Sequence, residues 1–181
     1  MERRKARGRK TADANGGLLW APWRRAYVEG ARITSCIFCF DRLSAAEARR
    51  RLILRAGDLM TVMLNRYPYN SGHLMIAPRR HVASPELLTP AERAELSEAI
   101  GLAVAALRRA YDPAGINLGA NLGRAAGAGI ADHMHWHAVP RWEGDNNFMP
   151  VIAGTRVLPE MLEETFKRLA PLFKTGGLPV S

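Results

Sequence analysis

The sequence predicts an α+β fold with a largely antiparallel sheet, and three observations predict it. Most apolar runs are joined by short turn-forming stretches rather than by helices. One long segment in the middle of the chain, "TPAERAELSEAIGLAVAALRRAY", has apolar residues at helical spacing, and a second, "LPEMLEETFKRLAPLF" (158–173), repeats that spacing later. A single long helix among strands that turn back on themselves is not the alternating pattern of a parallel α/β sheet. The chain has 181 residues, 48% hydrophobic and 24% charged, the composition of a soluble globular protein. That length suits one domain with some extra tail. No apolar run approaches the ~18 residues that would span a membrane.

Residues 1–17 read as a basic, solvated arm ending in "NGG". Its first ten residues, "MERRKARGRK", hold six Lys or Arg against one Glu, and so most of the formal net charge of +9. No apolar segment follows directly, so the arm does not read as a secretory signal. A phosphate-rich partner, nucleic acid included, is open to such an arm, but no aromatic residue is interleaved to stack on bases, and nucleic acid is not expected. Residues 18–181 read as a single domain.

After the Trp- and Arg-rich "LLWAPWRRAYV" come the only two cysteines, Cys36 and Cys39, as "CIFC". Two cysteines make no disulfide framework, and the expected compartment is a reducing cytoplasm. The CxxC leaves three readings open: a redox pair, buried cysteines, or half of a structural zinc site. A redox pair wants a helix N-terminus in a βαβ context, which "TSCIFCFD" does not offer.

"DLMTVMLN" (58–65) and "HLMIAP" (73–78) read as two strands, joined by the turn formers "YPYNSG". In the long helix, Thr89 is the cap, Pro90 suits the first position and Glu92 completes a capping box. Leu96, Ile100, Ala103, Val104 and Leu107 then form one buried stripe, and Asp112–Pro113 ends the helix with Gly115 just beyond. "INLGAN" (116–121) reads as a strand, followed by the glycine-rich "LGRAAGAG".

"ADHMHWHAVP" (131–140) alternates and reads as another strand. It carries three of the five histidines, His133, His135 and His137, at every second position. Alternate residues of a strand share a face, so the three imidazoles would form a row about 13 Å long while Met134, Trp136 and Ala138 pack on the other side. Such a row has three readings: an exposed face of no consequence, metal ligands, or a phosphate-handling site. The glycines just upstream, Gly123, Gly127 and Gly129, favour the last, because they let backbone amides turn toward an anion. An anion cradle would then stand beside a nucleophile.

The motif "HMHWHAV", continued by "PRW", resembles the signature of the histidine-triad superfamily. "LWAPWRRAYV", "CIFC", "MLNRYPYNSGHLMIAPRRH", "NLGANLG" and "GDNNFMPVI" are similar to its bacterial branch, which includes diadenosine tetraphosphate phosphorylases and related nucleotide hydrolases. The resemblance spans roughly residues 18–170. It implies a histidine-triad fold in a homodimer, with cleavage of a nucleotide at its α-phosphate. By motif position, His135 would be the nucleophile of a nucleotidyl-histidine intermediate, His137 would contact the phosphate, and His73 would support the triad from a neighbouring strand. Asn65 would hold the ribose hydroxyls, Asn121 with Gly127 and Gly129 the phosphate oxygens, and Phe38 with Ile37 the base. A phosphorylase would use inorganic phosphate as co-substrate. Two departures matter: the Gln common before the triad is replaced by Gly-Ala-Gly, and the third triad position is His rather than the Gln of the transferase branches. The second departure favours hydrolysis or phosphorolysis over hexose-phosphate transfer.

Related proteins use a Cys-Cys-His-His zinc site, which here would be Cys36, Cys39, His81 and His133. Trp20, Trp23, Trp136 and Trp142 read as packing residues before base-stacking ones. Arg124 is a candidate for a polyphosphate tail, whereas Arg141, Asp145 and Asn147 read as strand-end and turn residues. The resemblance makes phosphorolysis of diadenosine tetraphosphate the first expectation, with a nucleotide hydrolase releasing AMP its nearest rival. Two rivals from other classes stay open: a nucleotide-binding interaction module docked through its basic arm, with catalysis incidental, and a zinc-dependent hydrolase with an open metal position.

Overall fold

The long central segment folds as expected because its termini are built for a helix. In the computed structural model, which describes residues 36–145 and 160–174, it runs from Pro90 to Tyr111. At its start Thr89 Oγ1 accepts from the Glu92 amide and the Glu92 carboxylate accepts from the Thr89 amide, a complete capping box. Glu92 is also 3% exposed and paired with Arg80 at 2.7 Å. That guanidinium holds the carboxyl down at about 2. At the helix end Asp112 adopts the left-handed conformation with φ 43°, a role more often taken by Gly but open to Asp. The buried stripe is Leu96, Ala99, Ala103, Ala106 and Leu107; Ile100 and Val104 are only partly buried.

The elements in chain order are α1 (Ala45–Arg50), β1 (Ile53–Ala56), β2 (Met60–Leu64), β3 (Leu74–Pro78), α2 (Pro90–Tyr111), β4 (Gly115–Ala120), β5 (Trp136–Arg141) and α3 (Leu162–Lys174). Short 3-10 turns lie at Pro85–Leu87 and Arg124–Ala126. The strands form one antiparallel sheet in the order β1-β2-β3-β5-β4, the α+β architecture the sequence predicts. Two elements had no counterpart in the sequence reading. Helix α1 is short but capped reciprocally by Ser44 and Glu47, and β1 pairs with β2 across a register shift between Ile53 and Arg55.

Alternation divides the sheet into two faces. Met60, Val62, Leu64, Leu74, Ile76 and Ala138 join α2 and α3 in the larger core, together with Met134. On the other face Ile53, Met63, Met75 and Ala77 make a smaller core with Phe38, against which Cys36, Phe40 and Leu43 pack. The segment 36–43 therefore lies on the face opposite the long helix.

The expected strand 131–140 is corrected in its first half. Pairing starts at Trp136, opposite Ile76 of β3 and Ala120 of β4. Upstream, the Met134 amide donates instead to the Val82 carbonyl at 2.7 Å, beyond the end of β3, so His133 and His135 precede the ladder. The two-sided division survives, with Met134 and Ala138 in the larger core and Trp136 packed against it. The arm 1–17 and the motifs "LWAPWRRAYV" and "NNFMPVI" lie outside the described residues. Among the described residues, no helix is long and apolar enough to cross a membrane.

Candidate functional site

Strand β5 carries the site because its outward residues land beside a gap. His137 lies opposite Met75 of β3 and Gly119 of β4. Among the described residues, no atom lies within 4 Å of where a Cβ on Gly119 would stand, so none of them covers the surface beside His137. The His135 and His137 rings are 5.0 Å apart, edge to face. The Phe38 ring lies 5.1 Å from that of His133 and 4.8 Å from that of His135. All three triad imidazoles thus gather on the side of the sheet opposite α2, as the alternation implied.

Fixed backbone groups set the tautomers. A carbonyl only accepts, so His135 Nδ1, 3.0 Å from the His133 oxygen, carries the proton and Nε2 keeps its lone pair. His133 Nε2 lies 2.7 Å from the Pro78 carbonyl and must donate there, which leaves its Nδ1 unprotonated. An amide only donates: the Tyr69 N–H reaches His73 Nδ1 at 3.0 Å, so His73 carries its proton on Nε2. That Nε2 lies 2.8 Å from His137 Nδ1. His137 therefore accepts at Nδ1 and holds its own proton on Nε2. Burial lowers the basicity of His133 and His135, and burial followed by the charge of His135 brings His137 down to about 4. At neutral pH the triad is a set of uncharged imidazoles with known donors and acceptors.

The residues expected to hold a metal converge. Cys36, Cys39, His81 and His133 place one ligand atom each within 4.8 Å of one another. The His133 Nδ1 lone pair faces Cys36 Sγ at 3.3 Å, Cys39 Sγ at 3.5 Å and His81 Nδ1 at 3.3 Å, and Cys39 Sγ is 3.2 Å from His81 Nδ1. Ligand bonds of ~2.0–2.3 Å at tetrahedral angles put donors roughly 3.3–3.8 Å apart. The spacing and the soft S2N2 chemistry both fit a tetrahedral cation. Burial and then the Cys36 sulfur push the Cys39 thiol up, the cost of bringing sulfurs together that a cation would offset.

The expected substrate residues divide. Asn65 sits at the mouth of the β2–β3 turn, its Nδ2 3.4 Å from His73 Nδ1 and its Oδ1 accepting from the Tyr67 amide at 2.9 Å. Asn121 follows β4 on the His137 side, and a Cβ on Gly127 would touch its Nδ2 at 3.7 Å. In the glycine loop, Gly123 and Gly127 have φ of 80° and 89°. The amides of Ala126, Gly127 and Ala128 are spent inside the loop on Gly123 and Arg124 carbonyls. The expected cradle narrows to the Asn121 carboxamide and the amide of exposed Gly129, with Gly127 supplying the bend. Phe38 is 2% exposed and reaches the site only through the imidazoles it packs on, whereas Ile37 is 37% exposed. Arg124 is exposed in its 3-10 turn. Two surface clefts, both bordered by Arg55, Glu95 and Glu98, lie on the helix side and contain no histidine.

The chain is similar to known proteins in sequence and in fold. The model of the HIT domain matches residues 46–144. The chain belongs to the histidine-triad (HIT) family. A HIT relative from Mycobacterium tuberculosis named AP-4-A phosphorylase is 38% identical over 159 residues, covering 84% of this chain and 82% of its own. The asymmetrical bis(5'-nucleosyl)-tetraphosphatase of Schizosaccharomyces pombe is 26% identical over 119 residues, 66% of this chain and 62% of its own. A Zn-bound histidine triad family protein from Mycobacterium smegmatis shares the HIT fold, with TM-score 0.54 and 24% identity over 67% of this chain and 83% of that one. Sequence reasoning missed Tyr69, whose contribution to the candidate site is a backbone amide and a ring 4.7 Å from His73. No residue-type pattern reports such a contact.

Proposed function

We propose that the chain cleaves dinucleoside polyphosphates at the α-phosphate through a nucleotidyl-His135 intermediate, with phosphorolysis of diadenosine tetraphosphate as its first activity. The observation that carries this is the 3.0 Å contact from His135 Nδ1 to the His133 carbonyl, which leaves Nε2 as an uncharged nucleophile. The M. tuberculosis relative supports the substrate by its name and by its 38% identity over most of both chains.

In the first step the Nε2 lone pair of His135 forms a bond to the α-phosphorus while the anhydride bond breaks, and ATP leaves with the bridging oxygen. Positive charge grows on the imidazole as the bond forms. The His133 carbonyl, already accepting from Nδ1–H, stabilises that charge without reorganisation. His137 Nε2–H donates to a phosphate oxygen. In the second step inorganic phosphate attacks the same phosphorus, ADP forms, and His135 is restored. Asn121 and the Gly129 amide hold phosphate oxygens, Asn65 the ribose, and Ile37 offers apolar surface to the base while Phe38 holds the imidazoles in place.

Cys36, Cys39, His81 and His133 would hold a zinc ion. Four protein donors complete a tetrahedron, so zinc would contribute stability and fix the first triad histidine rather than offer an open position for water. The chain acts as a homodimer in a reducing cytoplasm. Supporting the dimer, β4 is an edge strand among the described residues, with Leu118 and, just beyond it, Leu122 each 45% exposed.

The test is incubation with diadenosine tetraphosphate, with and without inorganic phosphate. ADP that forms only with phosphate supports phosphorolysis. AMP in both tubes supports hydrolysis, the second reading, which the S. pombe relative's name favours. No product in either tube contradicts the proposal.

A further inference from the structure

The pair His73–His137 joins two segments far apart in sequence at the end of the strand ladder: His137 lies inside it opposite Met75, and His73 stands just beyond its last pair. Pairing of β3 with β5 stops at Leu74 opposite Ala138. Continuing that register would set His73 against Val139 and then Gly72 against Pro140, and proline has no N–H to donate. The Asn70 side chain closes the gap: its Nδ2 donates to the Pro140 carbonyl at 3.1 Å and to Asp145 Oδ2 at 3.0 Å. Asp145 is itself fixed by Arg141 at 2.6 and 2.7 Å and by the Trp142 amide at 3.2 Å. Arg141 also donates to Asn117 Oδ1 on β4 at 3.0 Å. One carboxamide thus bolts the β2–β3 turn to the far end of the triad strand.

That turn does chemical work. The Asn70 carbonyl accepts from the His73 amide at 3.2 Å, and the preceding residue, Tyr69, aims its amide at His73 Nδ1. This amide holds the His73 proton on Nε2, where it faces His137 Nδ1. We propose that Asn70 is a positioning residue for the reaction: by clamping the turn to Pro140 and Asp145 it keeps the Tyr69 amide on His73, and so keeps the donating proton of His137 on Nε2. Asn70 touches no reacting atom. The inference rests on the reading of His137 as the donor to the transferring phosphate.

The test uses the full chain with Asn70→Ala and, should that variant fail to fold, Asn70→Asp, which turns the clamp into a repulsion beside Asp145. Thermal melts confirm folding. Steady-state kinetics with diadenosine tetraphosphate and phosphate, and imidazole nitrogen-15 NMR spectra of the resting protein, are the readouts. The expected result is a kcat lower by roughly ten- to a hundredfold with KM within about threefold, and loss of the single Nε2–H tautomer at His137. A kcat within about twofold of the unaltered chain, a retained single tautomer, or a rise in KM alone would overturn the inference. His137→Gln run in parallel separates the two layers. If it keeps full turnover, the reading of His137 falls and the inference with it; if it loses turnover while the Asn70 variants do not, only the inference falls.

Discussion

The His133 carbonyl oxygen lies 3.0 Å from His135 Nδ1, while the ring of His133 turns its own Nδ1 toward Cys36 and Cys39. One residue therefore orients the proposed nucleophile with its backbone and joins the candidate metal cluster with its side chain. The candidate cluster and the proposed nucleophile are two residues apart and share a hydrogen-bonded link. Disturbing the cluster should move His135 without removing any group that touches substrate.

Metal content and stability should accordingly fall together. The full chain is expected to hold about one zinc per molecule, and Cys36→Ser or Cys39→Ser to hold little. A loss of about 2–3 kcal/mol would lower the melting temperature by roughly 5–10 °C. Metal analysis and thermal melts check this. Stability and metal content unchanged in both variants would contradict a structural metal.

The pH dependence follows from the burial of His137, which brings its imidazole from the ordinary 6.5 down to about 4. Only the neutral ring accepts from His73 and donates from Nε2, so kcat/KM should stay level from pH 8 to about 5.5 and decline on an acid limb well below 6.5. The sign for stability is the same. Because the folded value lies below the unfolded one, the unfolded chain takes up a proton first as pH falls. This contribution is complete above pH 6.5 and is lost between 6.5 and about 4. A pH–rate profile checks the first statement, and an acid limb near 6.5 would count against the buried, neutral ring.

Much of this site was legible in the sequence, and the limits have physical causes. Alternation is local, so the shared side of His133, His135 and His137 could be read, as could the Thr89–Glu92 capping box. The departure of His133 and His135 from the strand could not, because it depends on Val82 and Pro78, some fifty residues upstream. The Arg80 partner of Glu92 and the Asn70 bolt to Pro140 are likewise tertiary contacts. Helix α1 is a different case: Ser44 and Glu47 carry a legible capping box, but the helix has no buried residue to mark a face. Strand β1 is only four residues long and shifted in register, too short for period-two alternation to stand out.

Gly72→Ala should be costly for its position. Gly72 has φ +79°, and a Cβ there would stand 3.0 Å from Tyr111 Cε2 and 3.2 Å from both Leu107 Cδ2 and Pro140 Cγ. Left-handed strain and crowding by these packed neighbours together should destabilise by roughly 1–3 kcal/mol. The displacement is next to His73, so turnover should fall as well. Denaturant unfolding monitored beside kcat checks both, and a variant as stable as the parent would show that the turn yields more easily than its packing implies.

The most direct test of the central claim is to quench the chain in alkali during turnover of diadenosine tetraphosphate, digest it, and map adenylyl adducts by mass spectrometry. The expected adduct sits on His135, is discharged when inorganic phosphate is added before the quench, and is absent from His135→Ala, whose turnover is lower by on the order of a thousandfold or more. Turnover close to normal in His135→Ala, or an adduct on any other residue, would contradict the account.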